Sequence, residues 1–167
     1  MSRPRIQRHK RGEPVKKVLI AVDETKGTKN AFNQYSNFCA CVRPRTIVLV
    51  YVEKFEGRSL IDEMLGDAEL STLKDVLKGT EYQKALDNKA QTILKYYKTA
   101  LGKKGLTGIK TVIRKGHPAE EILKTAKEVK ADVIVIGSRS RRTTHLFMGS
   151  VSREVADGAD IPVLIVK

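Results

Sequence analysis

The chain contains few of the residues that mark disulfide-rich, metal-binding or membrane proteins. Among its 167 residues there are two cysteines and no tryptophan. Cys39 and Cys41 form neither a CxxC motif nor half of a matched ligand pair, which argues against a zinc site or a redox pair. We therefore expect both thiols to be buried without a chemical role, since free cysteine packs as a small hydrophobic residue.

Long apolar runs are also missing. The longest is far shorter than the stretch needed to cross a bilayer, and residues 1–14 lack the apolar centre of a secretory signal. We expect a cytoplasmic protein with no membrane partner. The length predicts one domain, which we place at residues 16–167 behind a basic tail at residues 1–15.

Several catalytic and nucleotide motifs are absent. There is no GxxxxGK[ST] loop, no GxGxxG after a strand and no HExxH, which removes the main support for P-loop, dinucleotide and zinc-protease functions. His117 and His145 have no nucleophile and acidic partner in sequence context. His117 is expected to support a helix start, and His145 either donates to an anion or faces solvent. The sequence predicts binding rather than catalysis.

Positive charge is the one compositional excess. Lysine and arginine total 32 against 19 acidic residues, a net charge of +13. Such a balance favours an anionic partner, either a nucleotide, a nucleic acid or a membrane surface. Part of the charge lies in the tail, and the remaining lysines are spread along helical segments with few aromatic residues between them. Nucleic acid is therefore the weaker alternative.

Five short β-branched runs predict strands. They are nearly continuous rather than alternating, as expected when helices cover both faces of a parallel sheet. The runs are Lys17–Val22, Thr46–Val52, Lys110–Arg114, Asp132–Gly137 and Pro162–Val166.

Helical spacing appears between these strands. The predicted helices are Lys29–Val42, a region within Asp62–Leu101, a helix beginning near Pro118, and Ser150–Ala159. The alternation predicts an α/β fold with a single doubly wound, five-stranded parallel sheet. Ligands in such folds bind at the carboxyl ends of the strands, which directs attention to the loops after Val22, Val52 and Ile136.

The loop after the fourth predicted strand has the features of a phosphate site. Gly149 lacks a side chain, and Ser150 with the amides of Val151 and Ser152 could donate to phosphate oxygens. Arginines crowd the same helix start. The structural alternative is that the arginines point into water and Ser150 is an ordinary N-cap. Spacing alone leaves both interpretations open.

Segments along residues 16–167 resemble the universal stress protein family when taken in order. The matching segments are Val18–Asp23, Tyr51–Val52, Gly116–Ala119, Ala131–Gly137, Gly149–Ser152 and Ile161–Val166.

The resemblance implies a nucleotide site with the motif G-x2-G-x9-G-[ST]. Gly137 matches its first position and Gly149-Ser150 its last, but Ser140 stands at the middle glycine and only eight residues separate it from Gly149. Arg141 and Arg142 could replace the missing glycine through side-chain contacts to phosphate. Thr25 and Thr28 would supply hydroxyls after the first strand. The predicted nucleotide-binding residues are Ala21, Val22, Asp23, Thr25, Val52, Ile136, Gly137, Arg139, Ser140, Arg141, Gly149, Ser150, Val151 and Ser152.

The same resemblance implies a ligand and an assembly. The expected ligand is ATP, with AMP or ADP as alternatives and Mg²⁺ or Mn²⁺ accompanying it, and the expected activity is at most slow ATP hydrolysis. A homodimer through Pro162–Val166 is expected because an apolar edge strand is usually covered. Asp23 has a structural alternative as an Asx turn or helix cap. The alternative function is a dimer that binds no nucleotide and acts through protein contacts, suggested by Ser140 and the short loop.

Overall fold

Strands and helices alternate along the chain, as the apolar runs predict. The computed structural model describes residues 14–53, 81–138 and 148–166. The elements in these ranges are β1 (Lys17–Ala21), α1 (Lys26–Val42), β2 (Thr46–Glu53), α2 (Glu81–Lys103), β3 (Ile109–Lys115), α3 (Pro118–Val129), β4 (Val133–Gly137), α4 (Ser150–Gly158) and β5 (Val163–Val166). The predicted basic tail and the part of the predicted helical region before residue 81 lie outside the described residues.

The five strands form one parallel sheet in the order β3-β2-β1-β4-β5. β1 pairs with β2 from Lys17↔Thr46 to Ala21↔Val50 and, on its other side, with β4 through Leu19↔Ile134. The chain therefore moves outward from β1 to β3 and then returns past β1 to β4. This order confirms the doubly wound α/β prediction and places the reversal between β1 and β4.

The core has two layers, one on each face of the sheet. Ile20 and Leu49 pack toward α1 and α2, whereas Leu19 and Ile134 pack toward α3 and α4. All four side chains are fully buried. Each such side chain contributes about 1.5–3 kcal/mol by leaving water. Burial on both faces explains why the strand sequences are continuously apolar.

Local signals set the ends of α1 and α3. α1 ends at Arg43, which adopts a left-handed conformation at φ 46° ahead of Pro44. α3 has Pro118 in its first turn together with Glu120 and Glu121, and it ends at Lys130 with φ 53°. Proline and carboxylates suit the amino end of a helix, as expected from the sequence.

The two cysteines lie on opposite sides of α1. Cys39 is buried, and burial raises the pKa of its thiol to about 11. Cys41 is exposed, so the expectation of burial is wrong for this residue. Two residues turn an α-helix by about 200°, which carries Cys41 away from the core. Within the three described ranges, no helix is long and apolar enough to cross a membrane.

Candidate ligand-binding cleft

A cleft opens at the carboxyl edge of the sheet, beside the point where the strand order reverses. It holds about 730 Å³ of space free of protein atoms, including its open mouth. The lining residues are Ala21, Val22, Asp23, Thr25, Thr28, Val50, Val52, Pro118, Ile122, Ile136, Gly137, Gly149, Ser150, Val151 and Ser152.

The structure brings together every predicted site residue that lies in the described ranges. Arg139, Ser140 and Arg141 fall outside those ranges, as does His145. Sequence reasoning missed three lining residues: Val50, Pro118 and Ile122. Val50 lies two positions before Val52 on the same face of β2, and Ile122 lies one turn after Pro118 on α3, so periodicity could have identified both.

The start of α4 presents uncapped backbone to the cleft. Gly149 is the N-cap residue, at φ −63° and ψ 155°, and in the described part of the chain no side chain makes a capping hydrogen bond here. The Ser152 hydroxyl donates to the Gly149 carbonyl oxygen at 2.9 Å, and the Arg153 amide donates to the same oxygen at 3.0 Å. The interpretation of Ser150 as an N-cap is therefore wrong. The first-turn amides of α4 have no acceptor within the helix.

The loop after β1 is held by side-chain hydrogen bonds. Asp23 Oδ1 accepts from the Thr25 amide at 2.9 Å and from Thr25 Oγ1 at 2.5 Å, which is an Asx turn. The Thr28 amide donates to Thr25 Oγ1 at 3.3 Å, so Thr25 caps α1. The Tyr97 hydroxyl, on α2, donates to the Asp23 carbonyl oxygen at 3.0 Å. The Asx-turn alternative for Asp23 is thus what the structure shows, and the same residue lines the cleft.

Tyr97 remains a hydrogen-bond donor in this arrangement. Its side chain is 1% exposed, and burial, followed by the Asp23 charge, raises the pKa of its phenol. A neutral phenol keeps its proton at physiological pH, so the contact to the Asp23 carbonyl persists.

Because Gly137 has no side chain, the end of β4 can approach α1 closely. A β-carbon on Gly137 would stand 2.8 Å from the Tyr35 hydroxyl oxygen and 3.6 Å from Thr28 Oγ1. Burial, and then the nearby Asp23 carboxylate, raises the pKa of Tyr35. Glycine at this position makes room for an uncharged tyrosine.

Three helices begin at the cleft, but their charges differ. α3 carries Glu120 and Glu121 in its first turn, which offset the positive end of its dipole. α1 and α4 have no acidic residue in their first turns. Among the lining residues that the structure describes, Asp23 is the one carboxylate. The amino ends of α1 and α4 therefore carry partial positive charge that no acidic residue in their own first turns offsets.

His117 occupies the N-cap position of α3, but its imidazole makes no capping hydrogen bond. Its Nε2 lies 3.5 Å from Glu154 Oε2 on α4, with both side chains about half exposed. The residue thus links the starts of α3 and α4. In the described part of the chain, no group of three or more His, Cys, Asp or Glu residues could hold a metal ion.

Comparisons with known proteins agree with this architecture. Residues 14–167 match the model of the universal stress protein family. A universal stress protein of Thermus aquaticus is 34% identical over 135 residues, covering 74% of this chain and 98% of that protein. The stress response protein NhaX of Bacillus subtilis is 50% identical over 56 residues, which cover 33% of this chain and 34% of NhaX.

Solved structures share the fold. The universal stress protein UspA from Lactobacillus plantarum superposes with a TM-score of 0.70 at 20% identity, covering 93% of this chain and 99% of that one. A universal stress protein in complex with cAMP gives a TM-score of 0.62 at 21% identity, covering 92% and 98%. A universal stress protein from Archaeoglobus fulgidus in complex with dAMP gives a TM-score of 0.59 at 19% identity, covering 93% of this chain and 100% of that one. By its sequence match over residues 14–167, the chain belongs to the universal stress protein family.

Proposed function

We propose that the cleft binds an adenine nucleotide, with ATP the first candidate and AMP or ADP the alternatives, and that binding rather than turnover is the regulatory output. The observation that carries this proposal is the start of α4, whose first-turn amides have no acceptor within the helix and border a cleft with an apolar wall. A nucleotide needs both features, because its base is flat and weakly polar while its phosphates are anionic.

The polar end of the cleft has the chemistry of a phosphate site. Ser150, Val151 and Ser152 line it at the amino end of α4, where backbone amides and the helix dipole favour negative charge. Gly149 has φ −63° and ψ 155°, a conformation open to any residue. The backbone therefore does not demand glycine at this position, and the missing side chain serves to leave the amides uncovered.

The other wall is apolar. Ala21, Val50, Val52 and Ile136 end three adjacent strands and line the cleft. By family resemblance, the backbone of Val52 would lie against the adenine ring. Pockets for small molecules commonly combine such an apolar wall with a few directed polar groups. The cAMP and dAMP complexes of two structural neighbours support an adenosine ligand of this kind.

Mg²⁺ or Mn²⁺ would enter with the nucleotide. The described residues hold no preformed cluster of metal ligands, and Mg²⁺ is usually bound through substrate phosphates and one or two carboxylates. Asp23 lines the cleft, and its carboxylate is the kind of protein ligand that Mg²⁺ prefers, so Asp23 would be the residue that contacts the metal ion.

Calorimetry and thermal denaturation with ATP, ADP, AMP and cAMP test the proposal. Saturable heat and a concentration-dependent rise in Tm are expected. Gly149→Ala should preserve the fold and weaken binding, whereas Gly102→Ala, in α2 with open space around the added carbon, should bind as the wild type does. No heat and no Tm shift with millimolar nucleotide would reject the proposal and favour the alternative that acts through protein contacts.

For the assembly, we propose that β5 pairs with a second copy of the chain. β5 lies at one end of the sheet, and Val163, Leu164 and Ile165 are only partly buried there. An apolar edge strand is usually covered. Light scattering should give a dimer mass that Ile165→Lys lowers, and a monomer at high concentration would contradict the pairing. A cytoplasmic location stays a prediction from the sequence.

A further inference from the structure

Within the described ranges, the Tyr35 hydroxyl is one of two buried side-chain polar atoms that have no hydrogen-bond partner. The side chain is completely buried, and its hydroxyl has no partner among the described residues. Tyr97, which faces the same core layer, donates to the Asp23 carbonyl oxygen instead. Buried hydroxyls in native proteins are nearly always paired, so an exception calls for a functional or structural explanation.

The Tyr35 hydroxyl lies beside the wall of the cleft. It stands 2.8 Å from the β-carbon position of Gly137, and Thr28 Oγ1 stands 3.6 Å from the same point. Gly137 and Thr28 both line the cleft. Tyr35 follows Thr28 on α1 by seven residues, which is two helical turns and therefore the same helix face. The Tyr35 hydroxyl therefore adjoins two described residues of the cleft wall.

The Thr28 hydroxyl is able to accept a further hydrogen bond. Thr25 Oγ1 lies 2.5 Å from Asp23 Oδ1 and 3.3 Å from Thr28 Oγ1. A hydroxyl has one proton, and the short contact to the carboxylate claims it. The Thr28 hydroxyl therefore receives no strong hydrogen bond from Thr25 and can accept one from another donor.

We propose that Tyr35 is a positioning residue of the nucleotide site: its hydroxyl donates to Thr28 Oγ1, and Thr28 in turn donates to an anionic oxygen of the bound phosphate chain. This inference rests on the proposed function and identifies which hydroxyls of α1 the ligand uses. The two hydroxyl oxygens lie 2.8 and 3.6 Å from the same point, the β-carbon position of Gly137, and the proposed hydrogen bond requires the Thr28 hydroxyl to turn toward Tyr35. A hydroxyl that accepts a hydrogen bond becomes a better donor, so the pair acts cooperatively.

The direction of donation follows from the surroundings of Tyr35. Burial and the Asp23 charge raise the pKa of the phenol, which keeps it protonated. The Tyr35 hydroxyl can then supply the proton that Thr28 accepts, leaving the Thr28 proton for the ligand.

Calorimetric titration with ATP tests the relay in the wild-type protein and in Tyr35→Phe, Thr28→Val and the double variant. Loss of one neutral hydrogen bond predicts about 2–10-fold weaker binding for Tyr35→Phe. Thr28→Val should weaken binding at least as much, and the double variant should be no weaker than Thr28→Val. Thr28→Ser should retain affinity. Tyr96→Phe, which removes a hydroxyl from a side chain that is 55% exposed, is the matched control and should bind as the wild type does.

Denaturation without ligand separates this role from a structural one. Tyr35→Phe should then be at least as stable as the wild type, since it removes a buried hydroxyl that has no partner among the described residues. Equal ATP affinity of the wild type and Tyr35→Phe would overturn the relay while leaving nucleotide binding intact, and so would additive losses in the double variant. Absence of binding by the wild type would instead overturn the proposed function, and the relay with it.

Discussion

The Tyr35 hydroxyl oxygen occupies the space beside Gly137, 2.8 Å from where a β-carbon on that glycine would be. No ordinary side chain fits that approach without a shift, and Tyr35 is completely buried on a helix that packs against β4. Packing between α1 and β4 therefore favours glycine at the first position of the family motif, independently of any phosphate contact.

Gly137→Ala should lower stability because its methyl group clashes with the Tyr35 hydroxyl. Overpacking of a core typically costs about 1–3 kcal/mol. Adding Tyr35→Phe removes the clashing oxygen and should restore much of the loss. Urea denaturation of both single variants and the double variant measures the coupling, with Gly102→Ala as the matched control. Wild-type stability of Gly137→Ala would contradict this account of the packing.

Replacing tyrosine by phenylalanine should have different effects on stability at two buried positions. Tyr97→Phe deletes the hydrogen bond to the Asp23 carbonyl oxygen and should cost about 1 kcal/mol. Tyr35→Phe deletes a hydroxyl with no partner among the described residues and should be neutral or stabilising. Denaturation midpoints of the two ligand-free variants compare them directly, and equal losses would show that Tyr35 has a partner in the folded protein.

The two thiols should differ in their reaction with a water-soluble thiol reagent. Cys41 is exposed, whereas Cys39 is completely buried and its pKa is raised to about 11. The thiolate is the reactive form, so Cys39 should stay unreactive at pH 8 until the chain unfolds. One fast equivalent per folded chain is expected, and Cys41→Ser should abolish it. Two fast equivalents in the folded wild type would contradict the burial of Cys39.

A buried carboxylate at the end of β2 depends on a lysine of β3. Glu53 is 5% exposed, and Lys115 Nζ lies 3.3 Å from its Oε2 and 3.2 Å from Asp87 Oδ1. Lys115→Met should lower the free energy of unfolding by about 1–3 kcal/mol, because it leaves the buried Glu53 carboxylate without its lysine partner. Adding Glu53→Gln removes that charge and should recover part of the loss. A Lys115→Met variant as stable as the wild type would show that the carboxylate is already satisfied elsewhere.

The architecture could be predicted because the apolar pattern specifies it. Continuous β-branched runs such as the one at residues 46–52 occur where both faces of a strand are covered, and the structure confirms all five strands. Proline and two carboxylates likewise mark the start of α3 correctly. Both signals are local in the sequence, so they can be interpreted without a three-dimensional structure.

Contacts between distant residues could not be predicted in the same way. Nothing near Gly137 in the sequence points to Tyr35, which lies about a hundred positions earlier and meets it only because α1 packs on β4. Residue type alone predicts that Cys41 is buried, whereas its helical phase relative to Cys39 places it on the exposed side. Residue type favours Ser150 as an N-cap, but the cap is one residue earlier, at Gly149.

The most direct test of the central claim is the ¹⁵N–¹H chemical shift of the Ser150, Val151 and Ser152 amides during titration with ATP and Mg²⁺. Nucleotide bound at the start of α4 predicts large, saturable shifts of these amides, which Gly149→Ala reduces and Gly102→Ala does not. If they remain unmoved at millimolar ATP, the start of α4 is not a phosphate site.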